Sequence, residues 1–112
     1  MRVFFHADIN HGQAAAVWRC RDLLKTKFDI HLEHIDNVES WNAADLMLVH
    51  TQADNWVESL CIGDAPICVL ERIDGPQLTG PVRANLDNPR IRAVIKNTMF
   101  RDWWAYNENP WR

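Results

Sequence analysis

The chain of 112 residues has little of several features that would assign a protein quickly to a class. Its 12 Lys and Arg are outnumbered by 15 Asp and Glu, so it has no basic excess of the kind that binds nucleic acid. No apolar run approaches the length of a membrane span. The N-terminal residues turn polar too early for a signal peptide. We therefore predict a cytoplasmic protein that binds no nucleic acid and has no membrane span.

Cysteine and glycine are also scarce, and neither forms a functional motif. Cys20, Cys61 and Cys68 are far apart, match no zinc pattern and lie in apolar surroundings, which predicts buried, reduced thiols. Gly12 stands alone, with neither the spacing of a dinucleotide-binding loop nor a Walker lysine. No serine lies at a strand-to-helix turn, so the sequence has no nucleophile elbow.

Five segments of apolar or alternating sequence predict strands. The predicted strands span residues 2–5, 28–34, 46–50, 67–70 and 91–95. Residues 28–34 alternate strictly, with Phe28, Ile30 and Leu32 on the apolar side, which predicts a strand at a sheet edge. The continuous apolar runs 46–50 and 67–70 predict strands buried on both faces.

Helical patterns separate these strands. A helix is predicted from the Asn10–Gly12 loop to about residue 27, and another over 54–61 with Trp56, Val57 and Leu60 inward. Residues 37–44 predict a helical turn, and 78–89 a loop or short helix. This alternation predicts a three-layer α/β domain, Rossmann-like or flavodoxin-like, over residues 1–98. Its mainly parallel sheet takes the order 2-1-3-4-5 or 3-2-1-4-5.

Polar side chains follow every predicted strand, and in open parallel sheets ligands bind beyond the carboxyl ends of the strands. Imidazole and carboxylate groups are suited to general base catalysis, while Arg and Lys can hold anionic groups. We predict four catalytic residues: His6, Asp8, His50 and Glu71. The predicted substrate-binding residues are Asn10, His11, Gly12, Thr51, Arg72, Asp74, Lys96 and Asn97.

Two alternatives to this site stay open at this point. Glu71 and Arg72 could form only a local salt bridge, with Asp74 starting a turn. His6, Asp8 and His11 are residue types that bind zinc, manganese or iron, but their spacing matches no metal signature. We predict no metal site.

The C-terminal residues 99–112 are unusually aromatic. They contain Trp103, Trp104, Tyr106 and Trp111. Such a tail either folds back over the sheet or contacts another domain, a partner or a second copy of the chain.

Three segments carry a resemblance to a known family. They are Ala44-Asp-Leu-Met-Leu-Val-His50, the stretch from Pro66 to Leu78 that contains Glu-Arg-Ile-Asp-Gly-Pro-Gln, and Val94-Ile-Lys-Asn97. They resemble the N-terminal, acceptor-side domain of bacterial GT-B type glycosyltransferase-like proteins. In that family two Rossmann-like domains face each other. The N-terminal domain binds the acceptor and often supplies the catalytic base, and the C-terminal domain holds the nucleotide-sugar donor.

The resemblance implies specific roles. His6, Asp8 and His11 match the acceptor-loop position, and His50 and Glu71 the next strand ends. The chain itself would bind no cofactor or catalytic metal. The donor would lie on a missing C-terminal domain that contacts the aromatic tail, and the chain would not be catalytically competent alone. The alternatives are a flavodoxin-like module that binds a small ligand, and an interaction domain that uses its Trp-rich tail without catalysis.

Overall fold

A computed structural model of the protein describes residues 1–10, 12–35, 43–53, 55–71 and 78–96. Within this part of the chain five strands form one sheet. They are β1 Arg2–His6, β2 His31–His34, β3 Leu46–His50, β4 Ile67–Leu70 and β5 Ile91–Ile95. Every neighbouring pair is parallel, and the strand order is β2-β1-β3-β4-β5. The α/β fold and the first of the two predicted orders are confirmed.

Four helices connect these strands in the described residues. They are α1 Gly12–Arg19, α2 Arg21–Phe28, α3 Trp56–Ser59 and α4 Gly80–Ala84. Because successive strand residues point to opposite faces, Phe4 and Phe5 enter two different cores. Phe4 packs in a cluster with Trp56 of α3 and Val82 of α4, whereas Phe5 packs with Ala14 of α1. Helices therefore cover both faces of the sheet.

The first connection differs from its prediction in two ways. The single predicted helix is two helices, which are separated by a turn at Cys20, where the Cys20 N–H bonds the Val17 carbonyl at 3.0 Å. Helix α2 then continues to Phe28, where Asp29 adopts a left-handed conformation (φ 53°) and ends it. The predicted strand 28–34 is correspondingly shortened to β2. Phe28 is 64% exposed rather than buried.

Other predictions need smaller corrections. Helix α3 is one turn long, and its Val57 is 37% exposed, while Trp56 and Leu60 are buried as predicted. All three cysteines are free thiols, but Cys20 and Cys61 are exposed, since they lie at a helix junction and after α3. Only Cys68 on β4 is buried, and this burial raises the pKa of its thiol.

Some predictions fall beyond the described residues. Most of the predicted turn 37–44 and all of the aromatic tail 99–112 lie outside them. In the described part of the chain, no helix has the length and apolar character to cross a membrane.

Candidate functional site

An open cleft lies at the carboxyl ends of β2, β1 and β3. Its volume is about 660 Å³. Strand β2, which follows β1 in the chain, lies on one side of β1, and the next strand, β3, lies on the other side. The side on which successive strands are added to the sheet therefore changes at β1. Such a switch point is where open α/β sheets bind ligands. We call it the strand-end cleft. It is lined by His6, Ala7, Asp8, Ile9, Asn10, His34, Gln52, Ala53 and Asn55.

Two imidazole rings hold the β1 and β2 side of the strand-end cleft together. His6 Nδ1 lies 3.3 Å from the Ile35 carbonyl oxygen, and His34 Nε2 lies 2.8 Å from that of Ala7. Each histidine thus bonds the main chain that follows the other one's strand. Because a carbonyl oxygen only accepts hydrogen bonds, both of these nitrogens carry a hydrogen. In the neutral rings the lone pairs are then on His6 Nε2 and His34 Nδ1.

Neighbouring side chains fix this arrangement further. His34 packs edge-on against Trp18 of α1, with the ring centroids 5.9 Å apart. The Asp8 carboxylate accepts a hydrogen bond from the Asn10 backbone N–H at 3.1 Å, which closes the loop after β1. The His6–Asn10 loop is therefore tied both to α1 and to the end of β2.

The opposite wall comes from the loop after β3. The Ala53 N–H bonds the His50 carbonyl at 2.9 Å, forming a turn that leaves Gln52 and Asn55 exposed. Asn55 adopts a left-handed conformation (φ 57°, ψ 26°) at the start of α3. Asparagine tolerates this conformation better than most side chains, which fits its use at this corner.

The polar side chains that the structure describes at the ends of β3, β4 and β5 are buried. Glu71 has no exposed surface, and its two carboxylate oxygens accept three hydrogen bonds. Thr51 Oγ1 donates one at 2.9 Å, and the Thr79 N–H and hydroxyl donate the others at 3.0 and 2.9 Å. Glu71 therefore fastens the loop after β3 and the start of α4 to the end of β4.

Two further predicted residues are buried beside it. His50 is 1% exposed and Lys96 is 8% exposed. The register pairs Leu70 with Ile95, which places Lys96 and Glu71 at corresponding positions after their strands. We call the buried residues His50, Thr51, Glu71 and Lys96, together with the half-buried Thr79, the buried polar cluster.

Apart from Gly12, the predicted site residues that the structure describes divide into two groups. His6, Asp8 and Asn10 line the strand-end cleft. His50, Thr51, Glu71 and Lys96 belong to the buried polar cluster and are not among the lining residues of the cleft. Gly12 is the exposed first residue of α1, with a φ of 41°. His11, Arg72, Asp74 and Asn97 lie outside the described residues.

Three polar side chains of the lining, those of His34, Gln52 and Asn55, were not among the predicted site residues. His34 ends a strand, and the argument from strand ends places it at the same edge of the sheet as His6. Gln52 follows β3 by two positions, and Asn55 follows it by five, just before α3. The signal for Asn55 was an asparagine between a strand and a helix, a common place for left-handed residues.

The described residues contain no group of three or more His, Cys, Asp or Glu side chains that could hold a metal ion. Comparisons with models of protein families, with curated proteins and with solved structures find no match to this chain.

Proposed function

We propose that the strand-end cleft binds the hydroxyl-bearing acceptor of a glycosyl transfer, so that this cytoplasmic chain is the acceptor-side half of a glycosyltransferase-like protein. The observation that carries the proposal is the open cleft at the switch point and its polar lining. The lining includes the amides of Asn10, Gln52 and Asn55, the imidazoles of His6 and His34, and the carboxylate of Asp8. The similarity of three sequence segments to GT-B type acceptor domains supports the glycosyl part of it.

The chemistry of the lining supports a neutral, hydroxyl-rich ligand. Amide groups both donate and accept hydrogen bonds, and a carboxylate accepts them, so together they match the hydroxyl groups of a sugar. No Lys or Arg lines the cleft among the described residues. The lining therefore favours a sugar over a phosphate group, which Lys and Arg would bind.

We assign the role of general base to His6, which lines the cleft and is 5% exposed. Its Nδ1 hydrogen is engaged by the Ile35 carbonyl, so its neutral ring has its basic lone pair on Nε2. A base in that tautomer can take the proton from an acceptor hydroxyl as its oxygen bonds the anomeric carbon of the donor sugar and the bond from that carbon to the leaving nucleotide breaks. The nucleotide-sugar donor would be bound by a separate domain.

Titration of the ¹⁵N-labelled full chain tests acceptor binding. The ligands are the methyl glycosides of glucose, galactose, mannose and N-acetylglucosamine, with UDP in parallel. We expect at least one glycoside to shift the amide signals of Ala7, Asn10, Gln52 and Asn55 with a Kd on the order of 1 mM, because a single sugar offers only a few hydrogen bonds. UDP is expected to leave those signals in place.

Asn55→Gly is the sharpest variant, because glycine keeps the left-handed backbone while the amide is removed. We expect it, and His34→Gln, to weaken glycoside binding about tenfold or more. His31→Gln is the matched control, since His31 is exposed at the other end of the same strand. Shifts caused by UDP but by no glycoside, or unchanged binding in both cleft variants, would contradict the proposal.

A further inference from the structure

Behind the β2 side of the strand-end cleft, three side chains contact one another in a row. The Arg21 guanidinium lies over the Trp18 ring, with its Cζ atom 4.7 Å from the ring centroid, and it donates a hydrogen bond to the Trp18 carbonyl at 2.9 Å. Trp18 in turn contacts His34 edge-on, with an angle of 61° between the two ring planes. The row therefore runs from the exposed Arg21, through the half-buried Trp18, to a ring that lines the cleft.

Only His34 of these three side chains reaches the cleft. Its Nε2–H bonds the carbonyl of Ala7, which is itself a lining residue, at 2.8 Å. Trp18 and Arg21 belong to the described part of the chain but do not line the cleft. An effect of Trp18 on a ligand in the cleft must therefore pass through the His34 ring.

A histidine ring needs more than one contact to keep a single orientation. The χ2 torsion of histidine is broad and roughly two-fold, and the neutral ring has two tautomers. The bond from His34 to the Ala7 carbonyl requires both the observed orientation of the ring and a hydrogen on Nε2. An edge-on aromatic neighbour such as Trp18 favours one arrangement by about two- to tenfold in population.

We propose that Trp18 is a positioning residue of the strand-end cleft. It holds the His34 ring in the orientation and tautomer that bond Ala7, and the Arg21 guanidinium supports the Trp18 ring from its exposed side. This role rests on the proposed function, since the ligand that it serves is the hydroxyl-bearing acceptor. Helices α1 and α2, which do not line the cleft, thereby determine the state of one of its rings.

Imidazole ¹⁵N spectra of the ligand-free full chain test the state of the ring directly. At a pH of about 8.5, where imidazole is neutral, we expect His34 of the unmodified chain to have its hydrogen on Nε2. Trp18→Leu keeps an apolar side chain against the α1-face cluster but removes the aromatic ring, so the share of the Nδ1–H tautomer should rise. Trp18→Phe keeps an aromatic ring and should restore the original spectrum. His31, at the other end of β2, is the internal control and should not change.

Titration with the four methyl glycosides named above gives a second readout. We expect Trp18→Leu to raise the Kd about fivefold, and Trp18→Phe to leave it within about twofold of the unmodified chain. Arg21→Gln should raise the Kd about two- to fivefold, because the cation over the indole is lost. Arg19→Gln is the matched control, since Arg19 is another exposed arginine beside Trp18 and should leave the Kd unchanged.

Circular dichroism verifies that each variant is folded under these conditions. Arg21→Gln changes an exposed side chain, so its His34 spectrum keeps the test valid even if Trp18→Leu does not fold. In that variant we expect the share of the Nδ1–H tautomer at His34 to rise less than in Trp18→Leu.

Four results would overturn the proposal. The first is an unchanged His34 spectrum in both folded variants, Trp18→Leu and Arg21→Gln. The second is a changed spectrum that Trp18→Phe does not restore. The third is a changed spectrum with an unchanged Kd, and the fourth is an equal effect of Arg21→Gln and Arg19→Gln. If no glycoside binds the unmodified chain, the proposed function fails, whereas the ligand-free spectra still decide whether Trp18 positions His34.

Discussion

At the scale of single residues, Glu71 shows how one buried side chain changes the interpretation of a strand end. The sequence places a carboxylate directly after a buried strand, which resembles a catalytic position. The structure gives that carboxylate three hydrogen-bond donors from Thr51 and Thr79 and no exposed surface. In this conformation it contacts the two connecting loops.

Replacement of Glu71 measures this fastening role. Glu71→Ala leaves the Thr79 N–H and two hydroxyl groups without their buried acceptor, so we expect the free energy of unfolding in urea to fall by about 3 kcal/mol. Glu33→Ala removes an exposed carboxylate paired with Arg2 and should cost less than about 1 kcal/mol. Equal effects of the two substitutions would show that Glu71 does not fasten the loops.

At the scale of elements, the end of α2 is set by a single backbone conformation. Asp29 is left-handed, and its N–H and that of Ile30 both bond the Leu24 carbonyl. This closes the last turn of the helix and directs the chain into β2. An aspartate side chain is tolerated there but is not the residue that such a position favours.

Glycine and alanine substitutions at two aspartates test this conformation. At position 29 we expect Asp29→Gly to be more stable than Asp29→Ala by about 1 kcal/mol, because alanine is strained in the left-handed region. At position 22, in the first turn of the same helix, Asp22→Ala should be more stable than Asp22→Gly by about 0.5 to 1 kcal/mol. Thermal unfolding of the four variants measures both differences. The same preference at both positions would mean that Asp29 is not left-handed in solution.

The elements also show what sequence patterns can and cannot predict here. Strands β3, β4 and β5 were predicted at their observed residues, because short apolar runs bounded by polar and turn residues depend little on distant contacts. The end of α2 was missed because the alternation of Phe28, Ile30 and Leu32 continues across it. Over so short a stretch the same apolar residues fit both a helical and a strand period. The left-handed conformation of Asp29 determines where the helix ends and the strand begins.

The candidate site, like the secondary structure, could be predicted only in part from the sequence. The topology brings His6 and His34 to one edge, as expected for polar residues at the ends of parallel strands. The separation of the open cleft from the buried polar cluster was not predictable. It depends on Thr51 and Thr79 meeting Glu71 from sequence distances of 20 and 8 residues, and no local pattern encodes those contacts.

At the scale of the whole molecule, the strand order determines where the fold is most protected. Strands β1, β3 and β4 each have a neighbour on both sides, whereas β2 and β5 are at the edges. Residues of β4 are all buried, while those of β2 alternate between exposed and half-buried. Opening of an edge strand breaks fewer contacts than opening of a central one.

Amide hydrogen exchange of the full chain should follow this order. We expect the amides of Phe5, Val49 and Val69 to exchange slowest, near the rate set by global unfolding. The paired amides of β2 should exchange at least about tenfold faster, since β2 is an exposed edge strand. Uniform protection across the five strands would show that the sheet opens only as a unit.

Two hydrogen bonds cross between β1 and β2: His6 bonds the main chain after β2, and His34 bonds the main chain after β1. This arrangement has a thermodynamic consequence. The same two rings line the cleft and attach the edge strand, so a molecule that binds both rings must favour the attached form of β2. Cleft occupancy and edge-strand opening are then linked equilibria, each of which biases the other by the same free energy. The extent to which β2 opens would therefore depend on whether a ligand occupies the cleft.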